Sequence, residues 1–420
     1  MEPKIINFKN NIDIHYLKDN KYKTNFISVI LTVPLNRETV TTNALIPAVL
    51  RRGTKRLDSM KKLEIEMEEM YGASLDCGLD KAGKNHVLKF YIETAKDEMV
   101  GENLFEKAIQ NISEIILNPY LENGLFKEEY VVQEKKTLEI LINDKINDKT
   151  SYARVRCIEE MFNNKDYGIY VYGYTDDLNK ITNEMLYNQY VNILKTAKID
   201  IFVYTNESED NVKELFHKYF SNSYLEERKI IYNVENCFPT IKEKENIVNE
   251  SLDINQGKLV IGATIENENE FTPYQKTIAN AVLGVGANSK MFRYVREKEH
   301  LAYSAASSYI RNANTILIFA GIELNNYDKA VTVIKKQIDN MKKGEITAKE
   351  LQDAKSVIIN SYKTLFDEQY RIINYYINQC LSNSNVNIEE TIKEIENVKM
   401  EDVIKVANSI KIDTIYYLKK

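Results

Sequence analysis

The sequence predicts an α+β protein of two similar domains, each an antiparallel sheet with helices packed against it. The chain has 420 residues, more than one hydrophobic core ordinarily serves. Both halves show the same predicted order of strand, two helices, hairpin, helix, long helix, helix and strand. Residues 226–256 lie between them, with few helical periods and a Lys-Glu-Lys-Glu run. We therefore predict domains at 1–225 and 257–420, joined by a linker at 226–256.

In the first half, apolar residues alternate or cluster where strands are predicted, and recur every three to four residues where helices are predicted. Thr41-Thr42-Asn43 suits the cap of the first helix, and Gly53 suits its end. Gly83-Lys84-Asn85 predicts the turn of a hairpin, and Pro119 ends a helix. The predicted strands are 12–16, 26–33, 73–79, 86–92 and 199–204, and the predicted helices lie near 41–53, 59–72, 104–117, 125–146, 152–162, 183–194 and 212–220.

The same patterns recur in the second half. A glycine-spaced turn, Gly284-Val285-Gly286, precedes a short helix that breaks and passes into a strand. The predicted strands are 259–265, 305–310, 316–323 and 414–418, and the predicted helices are 274–283, 289–296, 327–343, 348–381 and 400–410.

The composition is that of a soluble globular protein, with 44% apolar and 28% charged residues. A net charge of −6 with interspersed Lys and Glu predicts no face for nucleic acid. The polar N-terminus lacks the apolar core of a signal peptide, and no run approaches the 18 apolar residues of a membrane span. The cysteines show no CxxC spacing, which fits a reducing compartment. We expect a cytoplasmic protein; the cysteines are Cys77, Cys157, Cys237 and Cys380.

The stretch from Ser289 to Ser304 carries the strongest candidate site. Arg296 and Tyr303 stand seven residues apart, where the predicted helix gives way to a strand. A guanidinium and a phenol held together can both donate hydrogen bonds to one carbonyl oxygen or oxyanion. The alternative is structural: Arg296 pairs with an acidic neighbour, and Tyr303 is half-buried core. Spacing alone favours that alternative.

With this stretch and the repeated plan, the chain resembles the M16 (pitrilysin-like) zinc metallopeptidase family over essentially its whole length. The resemblance implies two LuxS/MPP-like α+β domains that form half of a clam-shell. Family members carry His-x-x-Glu-His on a helix of the first half, shortly before Gly-Thr. Aligned on Gly53-Thr54, the histidine positions hold Ala44 and Ala48, and the glutamate position holds Pro47. None of these side chains can bind zinc or activate water, so we predict no metal here.

The family's third zinc ligand is a glutamate on the later long helix. One alignment places Leu141 there, and others place Glu134 or Glu139, so the register stays open. A single carboxylate without two imidazoles would not hold zinc tightly. We expect none of the four histidines to be a metal ligand, since no two have helical i, i+3 or i, i+4 spacing; they are His15, His86, His217 and His300.

The resemblance implies a zinc-less subunit of a two-chain metallopeptidase, inactive alone and without a cofactor of its own. A partner M16 chain with an intact zinc motif would hold the metal. Arg296 and Tyr303 would bind the peptide in trans and stabilise the developing oxyanion. Residues 143–161 and 173–178 are similar to a zinc-less subfamily associated with 5-aminopentanol modification of elongation factor P.

Two alternatives remain open. The chain could be a non-catalytic scaffold or binding subunit linked to elongation factor P modification. It could also be a peptidase with an unrecognised site, although the sequence has no Gly-x-Ser-x-Gly, P-loop or Rossmann glycine pattern.

Overall fold

A computed structural model describes residues 2–229 and 232–420. Two compact units form, and neither is a continuous stretch of chain. The first comprises residues 1–143, 169–235 and 367–385, and the second comprises residues 144–168, 236–366 and 386–420. Each contains a mainly antiparallel sheet packed with helices, so the predicted two-domain α+β class is confirmed.

The elements follow in chain order. The strands are β1 Lys4–Lys9, β2 Ile12–Lys18, β3 Thr24–Pro34, β4 Ser74–Ala82, β5 Asn85–Ala95, β6 Leu121–Glu122, β7 Leu125–Phe126, β8 Lys198–Thr205, β9 Asn246–Ser251, β10 Gly257–Ile265, β11 Ala302–Ile310, β12 Thr315–Ile322 and β13 Ile410–Lys419. The α-helices are α1 Val40–Leu50, α2 Met60–Glu69, α3 Asp97–Val100, α4 Leu104–Leu117, α5 Glu128–Asp144, α6 Lys149–Met161, α7 Thr175–Leu178, α8 Asn183–Thr196, α9 Glu209–Tyr219, α10 Ser223–Glu226, α11 Pro273–Gly284, α12 Tyr327–Lys342, α13 Ala348–Lys363, α14 Gln369–Cys380, α15 Ile388–Asn397 and α16 Met400–Asn408. A π-helical segment spans Met291–Lys298.

The two sheets share a topology. The first runs β1-β2-β8-β3-β5-β4, and β2 pairs with β8 in parallel. The second runs β11-β12-β10-β13-β9, and β13 pairs with β9 in parallel. All other neighbours within these two sheets are antiparallel. The internal repeat inferred from the element order is therefore also a repeat of sheet topology.

The central strands are buried on both faces. In β10, Leu259 and Ile261 pack into the main core of the second unit. Val260, between them, points to the opposite face and packs with Tyr152 and Cys157 of α6. Successive strand residues face opposite sides, so this sheet requires helices on both faces.

The helices on these second faces come from the other half of the sequence. Helix α6, from the first half, packs on the second sheet, where Tyr152 and Arg156 contact Glu250. Helix α14, from the second half, packs against β3 and β8 of the first sheet. Gln369 at its start donates to the Thr24 carbonyl oxygen at 2.6 Å. The compact units therefore differ from the continuous segments 1–225 and 257–420. One helix from each half of the sequence packs on the sheet that is formed mainly by the other half.

Three further details depart from the sequence-based expectations. The predicted linker 226–256 contains β9, which adds to the edge of the second sheet. The predicted helix 348–381 is interrupted by a 3₁₀ turn at Thr364–Asp367, after which the chain enters the first unit. Strand β1 was missed, because its short alternation at Lys4–Lys9 reads as a polar N-terminus. Among the described residues, no helix is long and apolar enough to cross a membrane.

Helix α11 ends against β11, and a glycine permits the close approach. A Cβ atom on Gly284 would lie 2.5 Å from the backbone nitrogen of Ser307 and 2.3 Å from its Oγ. The Ser307 hydroxyl donates to the Asn280 side-chain oxygen at 2.7 Å, which fixes strand to helix. This junction sets the position of the segment that follows.

We predict that Gly284→Ala destabilises the protein by about 1–3 kcal/mol, because backbone must shift to admit the methyl group. The loss outweighs the gain in helix propensity, which is at most about 1 kcal/mol. Urea unfolding measures the change. Gly78→Ala is the control, since a Cβ there meets no atom within 4 Å. Equal stability of the two variants would contradict the close packing.

Candidate functional site

The segment that carries Arg296 is wound as a π-helix. The Glu299 amide donates to the Tyr294 carbonyl at 3.2 Å, five residues back, and the Leu301 amide reaches Val295 at 3.0 Å. His300 then adopts a left-handed conformation with φ of 51°, which turns the chain into β11. A wide turn of this kind is frequent at functional sites. The sequence predicted a helix that breaks here, and the structure shows that the break is a π-helical turn followed by a left-handed residue.

A β-bulge directs Tyr303 outward. Ala302 pairs with Ile322 and Ser304 pairs with Gly321, which leaves Tyr303 as the extra residue of β11. Its side chain is 80% exposed. Bulges re-aim side chains at strand ends, and among the described strands β11 is an edge strand that pairs with β12. The expectation that Tyr303 is half-buried core is therefore wrong.

Arg296 and Tyr303 lie side by side. The guanidinium carbon is 5.8 Å from the centre of the Tyr303 ring and 4.6 Å from that of Phe292. Both distances allow cation–π attraction, which orients the planar guanidinium. Arg296 makes no ion pair with any acidic residue in the described ranges, so the alternative of a surface ion pair is wrong as well. The guanidinium and phenol donors are both available to a ligand.

A buried ion pair anchors the start of the π-helical segment. The Lys290 and Glu350 side chains are only 2% and 6% exposed, and Nζ lies 3.3 Å from the carboxylate. Lys290 also donates to the Glu345 carbonyl oxygen at 2.7 Å. Burial by itself would raise the pKa of Glu350, but the Thr347 backbone amide and the Lys290 ammonium outweigh it and hold the pKa below its usual range. Sequence reasoning noted Lys290 in the motif but missed its partner, which lies sixty residues away.

The residues that the resemblance aligns with the zinc motif lie on α1. Ala44 and Pro47 are buried, and Ala48 is half-buried. Pro47 lacks the backbone N–H that an interior helical residue would donate, yet α1 continues to Leu50. Neither methyl group nor the proline ring offers a donor atom, so these residues do not fit zinc.

Two arginines follow at the end of α1. Arg51 pairs with Asp76 of β4, and Arg52 lies 3.4 Å from the carboxylate of Glu134 on α5. Burial raises the pKa of Glu134, and the two guanidinium groups offset only part of this rise. The positive charges beside the buried Glu134 carboxylate are therefore those of the Arg51 and Arg52 guanidinium groups. Leu141, the other candidate for the third position, is 48% exposed and offers no ligand atom; Glu139 is also exposed.

The histidines occupy four separate environments. His86 is fully buried, and burial lowers its pKa to about 4, so its ring is neutral. His217 is exposed and lies against Phe8, with ring centres 4.6 Å apart. His300 is an exposed turn residue beside the Arg296–Tyr303 pair. His15 contacts Asp200, with Nε2 2.9 Å from Oδ1.

The repeated α+β units, the motif positions without ligands and the exposed arginine–tyrosine pair together define an inactive peptidase of the M16 type. The family model described as peptidase M16 inactive domain matches residues 180–358. The chain is 33% identical over 410 residues to the "Probable inactive metalloprotease YmfF" of Bacillus subtilis, covering 96% of this chain and 95% of that protein. The chain therefore belongs to the M16 peptidase family, as the sequence resemblance predicted, and is an inactive homologue within it.

Other similarities are more distant. The "Uncharacterized zinc protease YmxG" of Bacillus subtilis is 26% identical over 282 residues, which is 66% of this chain and 65% of that protein. A conserved protein of Enterococcus faecalis superposes with a TM-score of 0.89 at 23% identity, over 100% of this chain and 99% of the other. The peptidase M16 inactive domain of Pseudomonas fluorescens superposes with a TM-score of 0.80 at 14% identity, over 100% and 98%. At these identities the two structures show the fold alone.

We predict that Lys290→Met destabilises the protein by about 3–5 kcal/mol, because it leaves the buried Glu350 carboxylate without its main cation. The double variant Lys290→Met/Glu350→Gln removes both charges and keeps an amide for the helix cap at Thr347. It should be more stable than the single variant. Urea unfolding measures both, and a double variant no more stable than Lys290→Met would contradict the account.

The same pair predicts a pH dependence. The folded-state pKa of Glu350 lies below its unfolded-state value, so the ionised carboxylate stabilises the fold above about pH 4.3, and this contribution is lost as the pH falls through the folded-state pKa. As the pH falls from about 5 to about 3, the free energy of unfolding should decrease less steeply for Glu350→Gln than for the wild type. If the free energies of unfolding of the two proteins fall in parallel with pH, the Glu350 carboxylate is not a source of acid sensitivity.

Proposed function

We propose that this chain is the zinc-less subunit of a two-chain M16 metallopeptidase, and that Arg296 and Tyr303 bind the peptide and stabilise the transition state in trans. The observation that carries the proposal is the pair itself. Two strong donors lie side by side and exposed, with no acidic partner among the described residues. An ion-paired arginine or a buried tyrosine could not donate to a ligand in this way, whereas these two side chains can.

The division of labour follows from what each chain offers. Helix α1 provides no ligand for zinc and no general base, so the partner would supply the metal, its bound water and the base. This chain would supply donors for the scissile carbonyl oxygen as negative charge develops on it. Arg296 suits that role because its guanidinium is planar and permanently charged. Each donor would contribute roughly 2–4 kcal/mol to the reaction in a site closed to water.

The peptide would bind as an added strand. Strand β11 lies at the edge of its sheet and contains the bulge that holds Tyr303. An extended peptide can hydrogen-bond to such an edge through its main chain, with little demand on side-chain identity. This mode would place a peptide carbonyl within reach of the phenol and the guanidinium.

The relatives support the pairing of two chain types. One relative in Bacillus subtilis is named a probable inactive metalloprotease, and another in the same organism is named a zinc protease. An inactive homologue and a zinc-type homologue therefore coexist in one organism, as a two-chain enzyme requires. A scaffold subunit linked to elongation factor P modification is the second candidate, and the loss of ligands on α1 fits it equally well.

We predict that Arg296→Ala and Tyr303→Phe each lower kcat by about 10²–10³-fold in the complex with a zinc-bearing M16 chain, because each removes one donor to the oxyanion. Peptide cleavage by the reconstituted pair measures the effect. Both variants should fold and bind the partner as the wild type does, since neither side chain is buried.

Another exposed cation and another exposed phenol serve as matched controls. Lys298→Ala removes an exposed cation from the same π-helical segment, and Tyr71→Phe removes an exposed phenol elsewhere. Both should leave turnover unchanged. If turnover is also unchanged in the Arg296 and Tyr303 variants while partner binding persists, the catalytic role is excluded and the scaffold function gains support.

A further inference from the structure

Strands β2 and β8 and helix α14 bring three metal-ligand side chains together within the first unit. They are His15, Asp200 and Cys380, and one ligand atom from each lies within 4.8 Å of the others. His15 and Asp200 are buried, and Cys380 is partly buried. The three are distant in the sequence, so spacing could not reveal them. Helix α14 comes from the second half of the chain, and its docking on the first sheet creates the cluster.

The three donor atoms are close enough together to bind one metal ion after small shifts. Zinc bonds of about 2.0–2.3 Å place neighbouring donor atoms about 3.3–3.7 Å apart. His15 Nε2 and Asp200 Oδ1 are 2.9 Å apart, so they need separate by only a few tenths of an ångström. The His15 ring is held by stacking on Phe202, with ring centres 4.3 Å apart and planes 7° from parallel. A histidine that binds a metal ion is ordinarily held in a fixed orientation by its surroundings.

A cation already lies against two members of the cluster. The Lys198 ammonium lies 2.7 and 2.6 Å from the two Asp200 oxygens and 3.3 Å from Cys380 Sγ. Its side chain is 27% exposed, so it can leave toward solvent. A divalent ion would replace the ammonium and the thiol proton, two unit charges for two. The proton that His15 Nε2 directs at Asp200 would move to Nδ1 of the neutral ring, so that Nε2 can bind the ion. The net charge of the buried cluster would not change, and the desolvation cost of binding would be small.

A small cavity adjoins the cluster. It has a volume of about 70 Å³, room for about two water molecules, and is lined by His15, Gln379 and Cys380 among others. Gln379 is 7% exposed, and its buried Oε1 has no hydrogen-bond partner in the described part of the chain. This buried acceptor, on the residue next to Cys380 in the sequence, calls for a donor close by. A metal-bound water would be such a donor.

We propose that His15, Asp200 and Cys380 form a site for a thiophilic divalent metal ion, Zn²⁺ or its substitute Co²⁺, with water in the fourth position. The site involves none of the motif positions on α1. The sequence-based expectation that no histidine binds metal is thereby revised for His15 alone. A catalytic thiol is a poorer interpretation, because burial raises the pKa of Cys380 to about 12, whereas a metal ion takes the place of the proton.

The test is a titration of the full-length, metal-free chain with Co²⁺ and then Zn²⁺. We expect one thiolate-to-cobalt charge-transfer absorption per chain, its displacement by Zn²⁺, and a rise in Tm with the metal. Cys380→Ser should abolish the absorption, and His15→Gln should weaken binding by more than the roughly 10–100-fold that loss of an outer-shell partner costs. Cys77→Ser is the matched control, a partly buried thiol on β4, and should bind as the wild type does.

Lys198→Met sharpens the test, because it removes the competing ammonium. Affinity for Zn²⁺ should rise by at least about tenfold, comparable in size to other outer-shell effects. The wild-type titration decides the question even if this variant fails to fold. Absence of the cobalt absorption in the wild type, or its persistence in Cys380→Ser, would overturn the proposal. Neither result bears on turnover by the two-chain enzyme, so the two proposals fail separately.

Discussion

The constraint on which the structure depends is that the central strands of both sheets are buried on both faces. A sheet of this kind is stable only when helices cover each side. The main set of helices in each unit covers one face. Helix α6, from the first half of the sequence, covers the opposite face of the second sheet. Helix α14, from the second half, covers the opposite face of the first sheet. Residues 143–161, singled out by family resemblance, are thus largely the covering helix of the second unit.

The Arg296–Tyr303 pair depends on a chain of packing contacts. Gly284 lets α11 approach β11, the buried Lys290–Glu350 pair fixes the start of the π-helical segment, and the bulge at Tyr303 turns the phenol outward. The free energy that holds the pair in place lies in buried groups, whereas the pair itself is exposed.

The first unit shows how an M16 domain persists without its catalytic metal. Small apolar groups fill the ligand positions on α1, and Arg52 neutralises much of the charge of the buried Glu134. A buried carboxylate without a cation would cost several kcal/mol. The same unit holds a second buried carboxylate, Asp200, and the Lys198 ammonium lies beside it where we propose that a metal ion can bind.

The sequence by itself determined the class of fold, the repeat, most elements and the residues of the candidate pair, because periodicity, turn residues and a local motif are all short-range signals. It also identified Ala44, Pro47 and Ala48 as positions that cannot bind zinc. Only the tertiary structure decided the composition of the two units, the outward direction of Tyr303, the burial of Lys290 against Glu350 and the meeting of His15 with Asp200 and Cys380. The reason is physical. Each of these features arises from a helix docking on a sheet, or a strand pairing in register, between residues remote in sequence, and no local pattern records such contacts.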